Sequence, residues 1–199
     1  MIVKLGAAIV VLLALAASVT LSTYLMIDLP EPKITTSGTA PIGGPFTLVA
    51  TNGESVSDQT YRGKWLLIYF GYTSCPDACP TALTDVGVAL KDLGSLVDKL
   101  QPLFITIDPG RDTVKVIADY LGSFDPRIVG LTGTQAQIDA VSKAYRVYVA
   151  RESTGGSNYV VDHGSYFYIM DPDGRFMNVV AGDVSGDEMA KRLREAMGS

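Results

Sequence analysis

The sequence predicts an α/β domain in which a mixed sheet is flanked by helices, preceded by one N-terminal transmembrane helix. A charge-free apolar segment opens the chain. Apolar runs of strand length then alternate with segments whose apolar residues recur every three or four positions, which is the helical period. Two apolar runs joined by a tight turn and one more helical segment close the chain. That ending is typical of a mixed sheet rather than a purely parallel one.

The opening segment has no charged residue from Leu5 to Ile27. A helix of about 23 residues is roughly 35 Å long, which is enough to cross a bilayer. Lys4 precedes the segment and acidic residues follow it, so the positive-inside rule leaves the rest of the chain outside the cytoplasm. A cleaved signal peptide is the alternative, since Ala14-Leu15-Ala16 resembles a cleavage site, but the apolar run continues about ten residues beyond it.

We therefore expect an uncleaved anchor over residues 1–27. No Arg- and Ser-rich transit peptide is present, which favours a bacterial cytoplasmic membrane, crossed once, with the domain on the periplasmic side. Residues 28–45 are rich in Pro, Gly and Thr and predict a flexible tether. Residues 46–199 are long enough for one domain with its own core. The net charge is −5 and no basic stripe exists, so nucleic acid is not an expected partner.

Within the domain, Phe46–Val49 alternates like a strand, and Asn52-Gly53 is a strong hairpin turn. Further apolar runs predict strands at residues 65–70, 103–107, 128–131, 165–170 and 176–180. Capping-box patterns begin two of the predicted helices, at Thr134 and at Ser185. The stretch from Arg151 to Asn158 is polar and rich in Gly and Ser, and it predicts a loop.

Both cysteines of the chain, Cys75 and Cys79, lie where the 65–70 strand turns into a helix. A helix N-terminus offers unpaired N–H groups and a partial positive charge, which favour the thiolate over the thiol. Two sulfurs four residues apart at this position can face one point in space. They predict either a reversible disulfide or a soft metal ion. A purely structural disulfide is less favoured, because so short a loop stabilises the fold little.

The order of strand, cysteine helix, strand, helix, hairpin and helix is that of thioredoxin-like chains, a fold that hosts several functions. In such chains the segment before the 165–170 strand faces the cysteine helix. Here that segment carries the one histidine of the sequence, His163, between Asp162 and Gly164. Gly164 allows the backbone to bend, and Asp162 either orients the imidazole, which is slightly favoured, or lies in solvent. His163 is therefore a candidate functional residue.

Two thiolates and one imidazole are donors that select copper or zinc. Structural zinc is almost always held by four ligands, and the sequence suggests only Cys75, Cys79 and His163. Copper(I) is satisfied by two or three ligands, and copper(II) accepts two Cys and one His with an added oxygen ligand. The donor set therefore favours copper, as Cu⁺ and Cu²⁺, over zinc.

Three motifs resemble the Sco (SenC) family of membrane-anchored copper proteins, namely Tyr69–Pro80, Ile107–Thr113 and Val161–His163. The resemblance runs from about Phe46 to the end of the chain. It implies a thioredoxin-like domain with copper bound by Cys75, Cys79 and His163. It also implies a metallochaperone that delivers copper to the dinuclear copper site of cytochrome c oxidase subunit II, or to another copper protein, or reduces the thiols of that site. The sequence departs from the family at positions that remove no ligand, with Ser74 for histidine, Gly110 for glutamate and Gly164 for serine or threonine.

An enzymatic role stays open beside the chaperone role. A thiol-disulfide oxidoreductase acting on a membrane or periplasmic protein would use Cys75 as the nucleophile and Cys79 as the resolving thiol. The same thiols could serve both roles. A peroxiredoxin is disfavoured, because that family places Thr or Ser three residues before its reactive cysteine, where this chain has Tyr72.

Overall fold

The structure is a computed structural model that describes residues 42–155 and 158–198. The predicted transmembrane anchor, and the tether up to residue 41, lie outside the described residues. Within the described part, no helix has both the length and the apolar character needed to cross a membrane.

Nine strands and four α-helices are described. The strands are β1 Thr47–Ala50, β2 Ser55–Ser57, β3 Trp65–Gly71, β4 Leu100–Thr106, β5 Val129–Thr132, β6 Val149–Gly155, β7 Asn158–His163, β8 Tyr166–Met170 and β9 Phe176–Ala181. The helices are α1 Ala78–Asp92, α2 Val114–Leu121, α3 Gln135–Ala144 and α4 Gly186–Met197, and short 3-10 helices span Asp58–Tyr61 and Gly94–Lys99.

Seven strands form one sheet in the order β2-β1-β5-β4-β3-β8-β9. The central strands β3, β4 and β5 are parallel, whereas β1, β8 and β9 join antiparallel. The predicted mixed, thioredoxin-like sheet flanked by helices is confirmed. Because β3 and β4 are parallel neighbours, the loops that follow them leave the sheet at the same edge. These loops carry the cysteine motif and the Ile107–Thr113 motif.

Alternate side chains of the sheet feed two apolar cores, as the strand period requires. Leu67 and Tyr69 of β3 point to the core that contains the buried faces of α1, α2 and α4. Ile68 and Phe70 point to the opposite core, which is covered by α3. Every one of these four side chains is almost completely buried. The sheet is therefore covered on both faces, which explains why β3 is a continuous apolar run.

Residues 42–45, which the sequence assigned to the tether, belong to the compact unit. Ile42 packs against the core beside α3, and the Gly43 N–H donates a 3.0 Å hydrogen bond to the Ala144 carbonyl. Gly43 has a φ of +94°, and a Cβ there would stand 2.7 Å from the Met170 side chain. Only glycine fits this close approach without strain.

The loop predicted between Arg151 and Asn158 is wrong for most of its length. Residues up to Gly155 continue β6, which pairs antiparallel with β7 in a separate two-stranded sheet. Between residues 151 and 155 the sequence is polar and carries little of the alternation that predicts a strand.

Candidate metal centre

The two cysteines are held at different depths by the end of β3 and the start of α1. Cys79 lies in the first turn of α1 and is completely buried, whereas Cys75 lies in the preceding loop and is half-buried. Gly71, the last residue of β3, makes room for the deeper sulfur, because a Cβ at Gly71 would stand 3.0 Å from Cys79 Sγ. One thiol therefore faces solvent and the other faces the core.

A backbone N–H at the start of α1 contacts the sulfur of Cys75. The Cys79 N–H, one of the N–H groups that a first helical turn leaves without an intrahelical partner, donates to Cys75 Sγ at 3.4 Å. Asp77 is the residue before α1, but its side chain makes no capping hydrogen bond. The cap of this helix is thus the Cys75 sulfur rather than the adjacent carboxylate.

A buried carboxylate ties the cysteine loop to the neighbouring loop. Asp112 is 0% exposed and accepts hydrogen bonds from the Thr73 N–H at 3.0 Å and the Thr73 hydroxyl at 2.6 Å. It also accepts from the Thr106 hydroxyl at 2.6 Å. Asp112 therefore anchors the loop that precedes Cys75.

His163 is the last residue of β7 and turns its ring toward the cysteines. Its Nδ1 lies 3.1 Å from the Gly164 carbonyl oxygen. Because a carbonyl only accepts, Nδ1 carries the proton in this hydrogen bond, and the lone pair of Nε2 is free to act as a ligand. Nε2 lies 3.8 Å from Cys79 Sγ. The Gly164 carbonyl, and not the exposed Asp162 side chain, therefore orients the ring.

The donor atoms of Cys75, Cys79 and His163 all lie within 4.8 Å of one another. Metal–sulfur and metal–nitrogen bonds of about 2.3 and 2.0 Å place neighbouring donors of a trigonal site about 3.6–4.0 Å apart. The 3.8 Å separation of Cys79 Sγ and His163 Nε2 falls in this range. The residues that the sequence singled out as candidate ligands are thus brought together with a spacing that fits one metal ion.

Burial sets the protonation of Cys79 and His163. Burial, followed by the proximity of Cys75, raises the pKa of the Cys79 thiol to about 12. Burial lowers the pKa of His163, although the Gly164 carbonyl and Asp162 oppose this shift. The imidazole is therefore neutral at neutral pH and ready to bind a metal, whereas Cys79 has to lose a proton when a metal binds.

Aromatic side chains enclose the site. The ring of His163 meets the rings of Tyr69 and Tyr72 edge to face, with centroids 6.5 and 5.7 Å apart. The Tyr69 hydroxyl lies 3.8 Å from Cys79 Sγ and 2.9 Å from Ser165 Oγ. Burial is the main cause that raises the pKa values of both tyrosines. The two phenols therefore stay neutral beside the thiols.

An open groove of about 560 Å³ borders the site. Asp77 and Ala78 form one wall beside the cysteines, and Gly164 to Tyr166 with residues 181–183 form the other. Among the two cysteines, the half-buried Cys75 is thus the one accessible from outside the domain.

Asp112, Tyr69 and Ser165 were not predicted as parts of the site. Tyr69 stands in an apolar run, where a tyrosine is easily taken for a core aromatic. The one signal in its favour is its hydroxyl, which a buried position has to pair. Thr73, which donates to Asp112, and Ser165, which pairs with Tyr69, lie 39 and 96 residues away along the chain, so no local pattern reveals these contacts.

The SCO1/SenC family model matches residues 34–198, well over half of the chain. The chain belongs to the SCO1/SenC family. The resemblance expected from the three motifs is thereby confirmed. Protein sco1 of Schizosaccharomyces pombe is 37% identical to this SCO1/SenC chain over 193 residues, which cover 92% of the chain and 73% of that protein.

The mitochondrial SCO1 homolog of Homo sapiens is 42% identical over 159 residues, covering 78% of this SCO1/SenC chain and 53% of the human protein. The match thus spans about half the length of the human relative. Among solved structures, copper-bound ScoI of Bradyrhizobium japonicum superposes with a TM-score of 0.73 at 42% identity, covering 78% of this chain and 99% of that one. That relative was solved with copper in place.

Proposed function

We propose that this chain is a copper metallochaperone that binds one copper ion through Cys75, Cys79 and His163 and delivers it to the dinuclear copper site of cytochrome c oxidase subunit II. The observation that carries the proposal is the meeting of two sulfurs and one imidazole within 4.8 Å of one another. Soft thiolates with imidazole select copper or zinc over hard cations. The copper-bound relative from Bradyrhizobium japonicum supports copper.

The number of donors also favours copper over zinc. Among the described residues, the group of His, Cys, Asp and Glu side chains that could share a metal ion has three members. Structural zinc is almost always four-coordinate. A three-donor site suits copper(I) and leaves the ion open to ligands from a partner. Such a site is suited to cargo that has to leave again.

The unequal burial of the cysteines gives ligand exchange an order. A thiolate or imidazole of the acceptor approaches copper from the side of the half-buried Cys75 and replaces it first. Cys79 is released after Cys75, because its side chain is completely buried. Copper keeps its oxidation state throughout, and each donor that leaves is replaced by one from the acceptor.

Thiol reduction is the second candidate function, and the same asymmetry supports it. Cys75, which receives the Cys79 N–H hydrogen bond, would attack a disulfide of the acceptor and form a mixed disulfide. Cys79 would then attack Cys75 and release the acceptor as a dithiol. Two electrons pass to the acceptor, and the chain is left with a Cys75–Cys79 disulfide.

One experiment separates the two functions. The reduced chain loaded with copper(I) is mixed with the copper-free, reduced soluble domain of subunit II, and copper and thiols on each protein are counted after separation. A chaperone moves copper and leaves both thiol counts unchanged. In a parallel mixture of the copper-free, reduced chain with the oxidised domain, a reductase instead adds two thiols to the acceptor while the chain loses two. Transfer of neither copper nor electrons would contradict the proposal.

Two variants sharpen the comparison. Cys75→Ser removes a copper ligand and the attacking thiol, so both transfers should be lost. His163→Ala keeps both thiols, so it should weaken copper transfer and preserve thiol exchange. If His163→Ala transferred copper like the wild type, His163 would not be a ligand.

The membrane location is also part of the proposal. Residues 1–27 would anchor the chain in the bacterial cytoplasmic membrane, and the residues from 28 to about 41 would tether the domain on the periplasmic side. The described residues of the compact unit begin at Ile42, so a chain of residues 41–199 should fold alone and bind copper in solution. A truncated chain that stays unfolded would show that the N-terminal segment is part of the folded core.

A further inference from the structure

The Tyr69 hydroxyl stands behind the candidate metal centre at the inner sulfur. Tyr69 is 1% exposed and belongs to β3. Its oxygen lies 3.8 Å from Cys79 Sγ, within hydrogen-bond reach for sulfur. Among the described contacts of that sulfur, the Tyr69 hydroxyl is the O–H donor. Each cysteine therefore has its own donor, since Cys75 Sγ receives the Cys79 N–H.

The buried hydroxyl of Tyr69 needs a hydrogen-bond partner. Burying a hydroxyl without a hydrogen bond costs about 1–3 kcal/mol, whereas phenylalanine would fill the same space without a polar atom. The partners of the Tyr69 hydroxyl are Cys79 Sγ and Ser165 Oγ. Packing of the ring against Phe167, with centroids 4.7 Å apart, fixes the direction in which the hydroxyl points.

Ser165 supplies the second half of the arrangement. Its Oγ lies 2.9 Å from the Tyr69 oxygen, and either hydroxyl can be the donor in this pair. Gly182 packs directly over Ser165, since a Cβ at Gly182 would stand only 2.0 Å from Ser165 Oγ. This close approach confines the serine side chain to the space beside Tyr69. With Ser165 donating to the Tyr69 oxygen, the Tyr69 O–H is directed to the sulfur.

We propose that Tyr69, oriented by Ser165, is a positioning residue that donates a hydrogen bond to the Cys79 sulfur in the copper-bound state and tunes the copper–sulfur bond. The inference rests on the proposed function, because it concerns the same site. A metal-bound thiolate is a better acceptor than a thiol, so the bond strengthens when copper binds. Hydrogen bonds to a ligating sulfur change its donor strength and the redox balance of the metal.

The chemistry fixes the direction of the effects. A hydrogen bond withdraws electron density from the thiolate, which raises the energy of sulfur-to-copper(II) charge transfer. Removal of the donor should therefore shift the charge-transfer band of the Cys79 thiolate to longer wavelength. Removal of the donor also takes a hydrogen bond away from the copper-bound state. The metal-free state loses less, because its protonated thiol accepts that hydrogen bond only weakly. Copper(I) affinity should consequently fall about tenfold, the lower end of the range for partners of ligating side chains.

The test compares three full-length variants, purified in detergent and fully reduced. Tyr69→Phe removes the donor, and Ser165→Ala removes the group that orients it. Tyr120→Phe is the matched control, because Tyr120 packs against the same core and its buried hydroxyl finds no hydrogen-bond partner among the described residues. Copper(II) charge-transfer spectra are recorded after one equivalent of metal, and copper(I) affinity is measured by competition with a chromophoric chelator.

Tyr69→Phe should show the red-shifted band and the tenfold loss of copper(I) affinity. Ser165→Ala should change both in the same direction by less, and Tyr120→Phe should match the wild type. A Tyr69→Phe protein whose band and affinity equal those of Tyr120→Phe would overturn the inference. If Tyr69→Phe did not fold, Ser165→Ala would decide, since an unchanged band there would overturn it equally. A wild type that binds no copper would instead overturn the proposed function.

Discussion

Replacement of Asp112 by alanine tests how the fold holds the cysteine loop. The Asp112 carboxylate is completely buried and accepts three hydrogen bonds, two from Thr73 and one from Thr106. Thr73 lies two residues before Cys75, and Thr106 ends β4. Asp112→Ala would leave the buried Thr106 hydroxyl and the partly buried N–H and hydroxyl groups of Thr73 without their acceptor.

The size of the loss follows from these contacts. Hydrogen bonds to a charged group contribute about 1.5–3 kcal/mol each, but bonds that share one carboxylate are not additive. We expect Asp112→Ala to lower the free energy of unfolding by about 3–5 kcal/mol, the range for a broken buried network. At roughly 2–4 °C per kcal/mol for a domain of this size, the midpoint should fall by about 6–20 °C.

Thermal unfolding of the reduced, copper-free chain 41–199, followed by near-ultraviolet circular dichroism, measures this loss. Asp119→Ala is the control, since Asp119 pairs with Lys115 on the surface with 66% of its side chain exposed, and its removal should cost less than about 0.5 kcal/mol. Asp112→Asn keeps one acceptor oxygen and should lie between the two. An Asp112→Ala protein within about 1 kcal/mol of the wild type would refute the anchoring role.

Three further predictions concern the metal centre. His163→Ala should keep copper(I) on Cys75 and Cys79 with affinity about tenfold to a hundredfold lower. Copper(II) added to this variant should instead be reduced, with two ions reduced for each disulfide that forms, so its electron paramagnetic resonance signal should decay. A stable signal like that of the wild type would exclude His163 as a ligand. Apparent copper(I) affinity should rise at least tenfold per pH unit between about pH 7 and 8. The Cys79 thiol has a pKa of about 12, so it must release a proton to the solvent when copper binds. A smaller dependence of the affinity on pH, measured by competition with a chelator, would contradict this. Oxidation to the Cys75–Cys79 disulfide should abolish copper binding, and tight uptake of one equivalent by the oxidised chain, measured by metal analysis, would disprove the assignment of the sulfurs.

The parts of the fold that follow simple periodicity could be predicted from the sequence. The apolar run of β3 and the helical spacing after Cys79 placed both cysteines at a strand-to-helix junction, and the structure has them there. The position of His163 before β8 was also predicted, because the element order brings that segment over the cysteine helix. Each of these predictions depends either on patterns among neighbouring residues or on the element order of the fold.

The remaining features depend on contacts between distant residues. The β6–β7 hairpin that carries His163 was predicted as a loop over most of its first strand, because its stretch of polar, Gly- and Ser-rich residues lacks a buried-face pattern. The anchoring role of Asp112 was not predicted, since its sequence neighbours say nothing of Thr73. The role of the Tyr69 hydroxyl was also not predicted, because Tyr69 stands in an apolar run and its partner Ser165 lies 96 residues away along the chain.

The central claim is that two sulfurs and one imidazole hold one copper ion. X-ray absorption at the copper edge of the reduced chain, loaded with one equivalent of copper(I), tests it most directly. We expect two sulfur neighbours at about 2.2–2.3 Å and one nitrogen at about 2.0 Å, close to the distances these donors make with zinc. The nitrogen contribution should disappear in His163→Ala. A coordination shell of sulfur alone in the wild type, unchanged by that substitution, would contradict the claim.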